Sequence, residues 1–255
     1  MYAIFGLDSY FTLFIIGFGA VITSAVHGAT GVAGGFLMAA LLAPFIGVHA
    51  VVPIITIMLL VSHSARAFLN IKNIDWRAFR LVILPALPFI MLTAYYYNNI
   101  PTAAIAMLMG TVIISSIPLR RLGTRFGKAG PKTLGLVGCL YGGLSGATIG
   151  PGMLITPFLL GFGLRKEAFV ATLASIAFFT NVGRFTLYNV TALYNVSGIF
   201  LGLFAGLLTI PGNWLGREVL RKVTNESHLI AVESLSVLGA LQFFYLAFKD
   251  LGWLT

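Results

Sequence analysis

Two stretches decide how this chain is read: SAVHGATGVAGGFLMAALLAPF, from Ser24 to Phe45, and YGGLSGATIGPGMLITPFLLGFG, from Tyr141 to Gly163. Each sets glycines, hydroxyls and a proline into an otherwise apolar run. Glycine and proline weaken or break a helix, so the same kind of interruption recurs in the two halves of the chain.

The surroundings of these breaks fix the class. Of 255 residues, 58% are hydrophobic and 9% charged, against about 25% charged in a typical soluble domain. That composition specifies an all-α polytopic membrane protein. Ten-residue alternation of the kind that builds a membrane β-barrel is absent. The start, MYAIFGLDSYF, has neither a basic region nor an A-x-A-like cleavage site and reads as mature protein. Cys139 is the single cysteine, which excludes an intrachain disulfide and a cysteine-cluster metal site.

Apolar segments run over 10–26, 31–46, 48–69, 78–97 and 101–119, then over 133–148, 149–163, 168–189, 195–212 and 229–248. Between the two sets lies RRLGTRFGKAGPK, Arg120 to Lys132. Sliding the chain by 118 positions lays Gly28-Ala29-Thr30 on Gly146-Ala147-Thr148 and Gly34 on Gly152. It also lays Ala50 on Ala168, Val52 on Val170, Ser62 on Thr180, Arg66 on Arg184 and Trp76 on Tyr194. The expectation is a first repeat over 1–119, a basic cytoplasmic linker over 120–132 and a second repeat over 133–255. Five segments per repeat make the second repeat inverted. Charge orients the whole. With the linker inside, Lys72–Arg80, Leu164–Phe169 and Gly216–His228 fall inside too. The uncharged loops YYYNNIP and YNVTALYN fall outside, as do both termini. The net charge of +9, from 16 Lys+Arg against 7 Asp+Glu, is mostly this topogenic bias and meets anionic lipid. The remainder suits an anionic cargo.

The first two segments of each half, roughly 15–17 residues, fall short of the ~20 that a span needs. Each pair reads as a helical hairpin dipping toward the membrane centre, with tips at Gly28–Gly35 and Gly146–Gly152; two short spanning helices remain an alternative. Broken backbone at that depth must line a cavity or be buried in protein. A helix starting there offers free N–H groups and a positive dipole end, and glycine lets a ligand come close. Inverted repeats meeting at interrupted helices are the architecture of secondary transporters. The candidate anion site is therefore the backbone of Gly31, Gly34, Gly35, Gly150, Gly152 and Met153, assisted by Ser24, His27, Thr30, Ser145 and Thr148. Gly198, Gly202 and Gly206, by contrast, have the spacing of a packing seam.

The chain resembles the TauE/SafE sulfite exporters, also called toluenesulfonate uptake permeases. The resemblance spans nearly the whole chain. It rests on GATGVAGGF in the first half, on GGLSGATIGPGMLITPFLL in the second, on Ala168…Ala171-Thr172, and on Asn181…Arg184-Phe185. The first half departs from the pattern, with His63-x-x-Arg66 and Val52-Pro53 at the matching places. The resemblance implies a cytoplasmic-membrane protein of bacterial type that moves sulfite, sulfonates or related sulfur- or carboxylate-containing anions.

Arg66 and Arg184 lie within apolar segments, where charge is costly and usually functional. Each is expected near one mouth, or snorkelled to the interface. His63 and Asn181 lie one turn deeper on the same face, placed to pass an anion from arginine to tip. A histidine ordinarily titrates near physiological pH, so His27 or His63 is a candidate for proton coupling; coupling to protons or to sodium is compatible with the sequence, as is a homo-oligomer. Glu233 reads as interfacial, Pro85 and Pro88 as kinks, and His49 has no assigned role. No cofactor, metal or nucleic acid is expected. The lead function is a secondary anion carrier, and a passive anion channel would share its pore. An intramembrane enzyme is disfavoured, because no H-E-x-x-H, acidic pair or Ser–His–Asp set occurs at depth. A P-loop is absent as well.

Overall fold

The computed structural model describes residues 10–30, 34–122, 129–220 and 225–254. Among them ten α-helices form, five on each side of the basic linker. The first five are α1 (Tyr10–Thr30), α2 (Gly34–Ile46), α3 (Val48–Leu69), α4 (Trp76–Tyr95) and α5 (Thr102–Leu122). The second five are α6 (Pro131–Ser145), α7 (Gly152–Phe162), α8 (Lys166–Val190), α9 (Val196–Leu220) and α10 (Asn225–Asp250). Short 3₁₀ turns at Ile71–Asn73 and Tyr97–Asn99 lead into α4 and α5. Five stretches are long and apolar enough to cross a membrane: Val48–Phe68, Trp76–Tyr95, Thr102–Leu119, Glu167–Val190 and Val196–Gly216. The chain is a multi-pass membrane protein.

Three of the helices are too short to cross a bilayer on their own. Helix α7 has 11 residues and α2 has 13. At 1.5 Å per residue these reach about 16 and 20 Å, well short of the ~30 Å hydrocarbon layer. Helix α6, with 15 residues, is also short. Helix α1 differs from the expectation. It has 21 residues and continues through Gly28 and Ala29 to Thr30, because neither a single glycine nor an alanine ends a helix whose neighbours already fix it. Helix α9 likewise runs to Leu220, carrying Pro211 inside it.

The packing partners pair off between the halves. Helix α1 lies on α9 and α6 on α4; α3 meets α8, and α5 meets α10; α3 touches α9, and α8 touches α4. Close approach at the first two contacts is set by missing side chains. A Cβ on Gly216 would strike the Ala25 carbonyl, and one on Gly142 would strike the Ala86 carbonyl. The seam glycines behave as their spacing suggests. A Cβ on Gly202 would lie 2.8 Å from the Ile54 carbonyl oxygen and 2.8 Å from the Ile57 Cβ.

Hydrogen bonds sort the loops into two sets. At one end, Tyr97 donates its hydroxyl to His49 O (2.9 Å), Asn98 Nδ2 to Thr191 O (3.1 Å), and Ala103 N to Asp250 Oδ2 (3.0 Å). At the other, Ala129 N donates to Gly161 O (3.1 Å) and Asp75 N to Thr172 Oγ1 (2.9 Å). The Asp75 carboxylate also caps α4, accepting from Arg77 N and Ala78 N. Exposed Trp76 begins α4, and exposed Tyr95 and Tyr96 close it. The helix from Trp76 to Tyr95 has 20 residues, a rise of about 30 Å that matches the hydrocarbon thickness and sets one aromatic group at each interface.

The first loop set was expected outside and the second inside. Reporters at Asn98 and at the C-terminus should therefore read the external face, and a reporter after Arg125 the cytoplasmic face. A C-terminus on the same side as Arg125 would break the five-plus-five arrangement.

Candidate functional site

The second break shows how the backbone is held open. Helix α6 ends at Ser145, and Thr148 N and its hydroxyl both donate to Leu144 O, at 3.0 and 2.7 Å. Gly150 then takes φ +108°, a left-handed conformation in which a side chain is strained. Pro151 opens α7, where its missing N–H costs nothing. Met153 N and Leu154 N close the first turn on Gly150 O (3.0 Å) and Pro151 O (2.9 Å). The carbonyls left over find side chains: Tyr188 donates its hydroxyl to Gly146 O, and Arg184 Nη1 donates to Thr148 O at 3.4 Å.

Beside this break lies a cavity of about 60 Å³. His27 of α1, Gly35 of α2 and Leu59 and His63 of α3 form one wall. Tyr141 and Ser145 of α6, Ile149 to Pro151 of the break and Gly152 of α7 form the second. Leu173, Ala174, Ala177, Thr180, Asn181 and Arg184 of α8 form the third. A buried water needs roughly 10–15 Å³ measured in this way, so the space has room for a group of a few heavy atoms.

Arg184 dominates its electrostatics. The side chain is 3% exposed, so it does not snorkel to the interface. Its Nη2 donates at 2.7 Å to Thr56 Oγ1, and Thr56 in turn donates to Val52 O at 2.7 Å. Its Nε has no partner of good hydrogen-bond geometry. Among the described residues no carboxylate lines the cavity. Arg66, its counterpart at an interval of 118, behaves differently. It donates Nη1–H to His27 Nε2 at 2.6 Å and is not part of the lining. Since arginine has only donors, Nε2 is the acceptor and the His27 ring carries its proton on Nδ1. The His27 and His63 rings meet edge to face, 5.4 Å apart.

Of the residues that the sequence singles out, the cavity gathers His27, Gly35, His63, Ser145, Gly150, Gly152, Asn181 and Arg184. Others sit off it. Ser24 donates to Val21 O (2.9 Å) and packs on Gly212 of α9. Gly34 leaves room for His27 and the Thr23 carbonyl, Met153 is core, and Thr148 braces the break. The Thr30 side chain and Gly31 lie outside the described residues. Sequence reasoning missed Tyr141, Thr180 and Thr56. Thr180 donates to Ile176 O (2.8 Å), so the Tyr141 hydroxyl donates to Thr180 at 2.9 Å. The signal for Thr180 was its match to Ser62, and for Thr56 its lone hydroxyl in the apolar run VVPIITIMLL. Among the described residues no group of three or more His, Cys, Asp or Glu is placed to hold a metal.

Comparison with known proteins finds one family. The model described as "Sulfite exporter TauE/SafE" matches residues 14–243. No curated protein and no solved structure gives a significant match.

Gly152 and Gly202 separate binding from packing. A Cβ on Gly152 meets nothing within 4 Å and projects beside the cavity, so Gly152→Val should melt near the parent temperature while losing sulfite binding in detergent. Gly202→Val overpacks the α9–α3 contact and should destabilise by about 1–3 kcal/mol, seen as a lowered Tm. Normal binding by Gly152→Val would remove this cavity from consideration.

Proposed function

We propose that this chain, which belongs to the sulfite exporter TauE/SafE family, is a secondary carrier that moves sulfite, a sulfonate or a related small anion by alternating access around the cavity between the two breaks. The carrying observation is Arg184: a guanidinium buried against a cavity whose lining holds no carboxylate. A buried charge without a counter-charge costs several kcal/mol, and an anion entering the cavity offsets that cost. The size of the space suits sulfite better than an aromatic sulfonate in this conformation.

The halves 1–119 and 133–255 are read as inverted repeats joined by the 120–132 linker, with that linker in the cytoplasm. The shared register of 118 and the paired packing of α1–α9 with α6–α4 support that reading. In an inverted repeat each hairpin faces the membrane side opposite to the other, and exchange of their positions would open the same cavity to either side.

Flux in proteoliposomes tests the reading. Arg184→Ala should insert and cut sulfite uptake roughly tenfold or more, the scale expected for hydrogen bonds to a charged group. Arg184→Lys should be intermediate, since it keeps charge and loses the fork that reaches Thr56 and Thr148 together. Concentrative uptake under an imposed proton or sodium gradient identifies a carrier and its coupling ion, whereas a channel only equilibrates. An Arg184→Ala protein that melts like the parent and transports at the parent rate sinks the site.

A further inference from the structure

Asn181 gives the cavity a polarity that a simple anion receptor does not need. Its side chain is 3% exposed. Nδ2 donates to Ala177 O at 2.7 Å, and this fixes the amide, because the flipped form would set Oδ1 against that carbonyl. Oδ1 is therefore an acceptor, buried beside the cavity and without a partner. Around it two of the unpartnered groups can only donate, while the Ser145 hydroxyl can serve either way and His63 Nδ1 depends on its tautomer. Arg184 Nε–H is one of the two. His27 Nδ1–H is the other, since Nε2 accepts from Arg66. An anion whose oxygens are all acceptors would satisfy these donors and still face Asn181 Oδ1 oxygen to oxygen. Leaving such a buried acceptor unmade is unfavourable.

We infer that the cavity selects an oxyanion in its singly protonated, singly charged form: Arg184 and His27 donate to its oxygens, and its own O–H donates to Asn181 Oδ1. For a sulfite carrier the species is hydrogen sulfite and not the dianion. One negative charge also matches the single guanidinium in the lining. The proton then travels on the cargo, and each turnover moves one charge fewer than the dianion would. The inference rests on the anion-carrier reading of the same cavity.

Hydrogencarbonate and nitrate form a matched pair of probes. Both are small, planar, singly charged oxyanions, and only hydrogencarbonate carries an O–H. Binding of each to the detergent-purified chain is measured by calorimetry at one fixed pH near neutrality. There His27, His63, Tyr141, Arg66 and Arg184, the titratable and charged groups around the site on α1, α3, α6 and α8, start in the same state for both. Asn181→Thr keeps an acceptor, because a helical threonine donates to the carbonyl four residues back and turns its lone pairs outward. Asn181→Val has the same shape and no acceptor. The parent and Asn181→Thr should favour hydrogencarbonate, and Asn181→Val should lose roughly tenfold of that preference while binding nitrate at least as well. If Asn181→Val melts early, Asn181→Ser against Asn181→Ala repeats the comparison. An equal preference in all variants, with both anions lost in Arg184→Ala, overturns the O–H inference and leaves the carrier site standing. Binding of neither anion by the parent, or of both by Arg184→Ala, overturns both.

Discussion

A guanidinium held 3% exposed inside an apolar helical bundle is the constraint around which the rest is arranged. Arg184 reaches from α8 to Thr56 on α3 and to the Thr148 carbonyl in the break between α6 and α7. One side chain thus ties a spanning helix of each half to the end of a hairpin. Its burial costs several kcal/mol, and hydrogen bonds to a hydroxyl and a carbonyl return only part of that. Selection for stability alone would favour an apolar residue here. The charge is retained beside a cavity, and under the proposed carrier function an anion completes what the protein leaves incomplete.

The break depends on that tie. Non-helical backbone in an apolar surrounding leaves carbonyls without partners, and each orphan is expensive. Tyr188 covers Gly146 O, Arg184 covers Thr148 O, and the Thr148 hydroxyl doubles the bond to Leu144 O. The residues that hold the break open are thus neighbours of the residues that face the cavity. If the cavity is the anion site proposed here, a change at Arg184 acts on both binding and local stability through α8. Thr56 offers a way to separate the two, since it touches the arginine and is not part of the lining.

Much of this was legible in the sequence, for physical reasons that differ by residue. The class followed from composition. The spans followed from runs of about 20 apolar residues, and the shortness of α2, α6 and α7 from runs that glycine and proline cut down. Arg184, Asn181, His63 and the second glycine break were visible because polar groups and helix breakers are rare in such runs. The extent of α1 was not visible, because a single glycine such as Gly28 is tolerated inside a helix as readily as it ends one. Nor was the fate of Ser24, Gly34 and Met153: side-chain direction in a helix hairpin is set by the partner helix, here α9 for Ser24 and α1 for Gly34. Thr180 escaped because a threonine hydroxyl in a helix has a default partner four residues back, here Ile176 O, so its type alone does not point to a cavity.

The two arginines show how a register of 118 can yield one site rather than two. At matching positions the chain has His27 and Ser145, Thr56 and Ala174, His63 and Asn181. Arg66 meets an imidazole, long enough to accept its proton at 2.6 Å. Arg184 meets in that place only Ser145, whose short side chain forms no bond with it, and turns instead to Thr56. At the position that the register matches to Thr56 stands Ala174, which has no hydroxyl to offer. Three pairs of unlike residues therefore send one arginine to a histidine and the other into the cavity. A backbone plan common to both halves would supply the two breaks, while the unlike side chains place the charge that an anion meets on one of them.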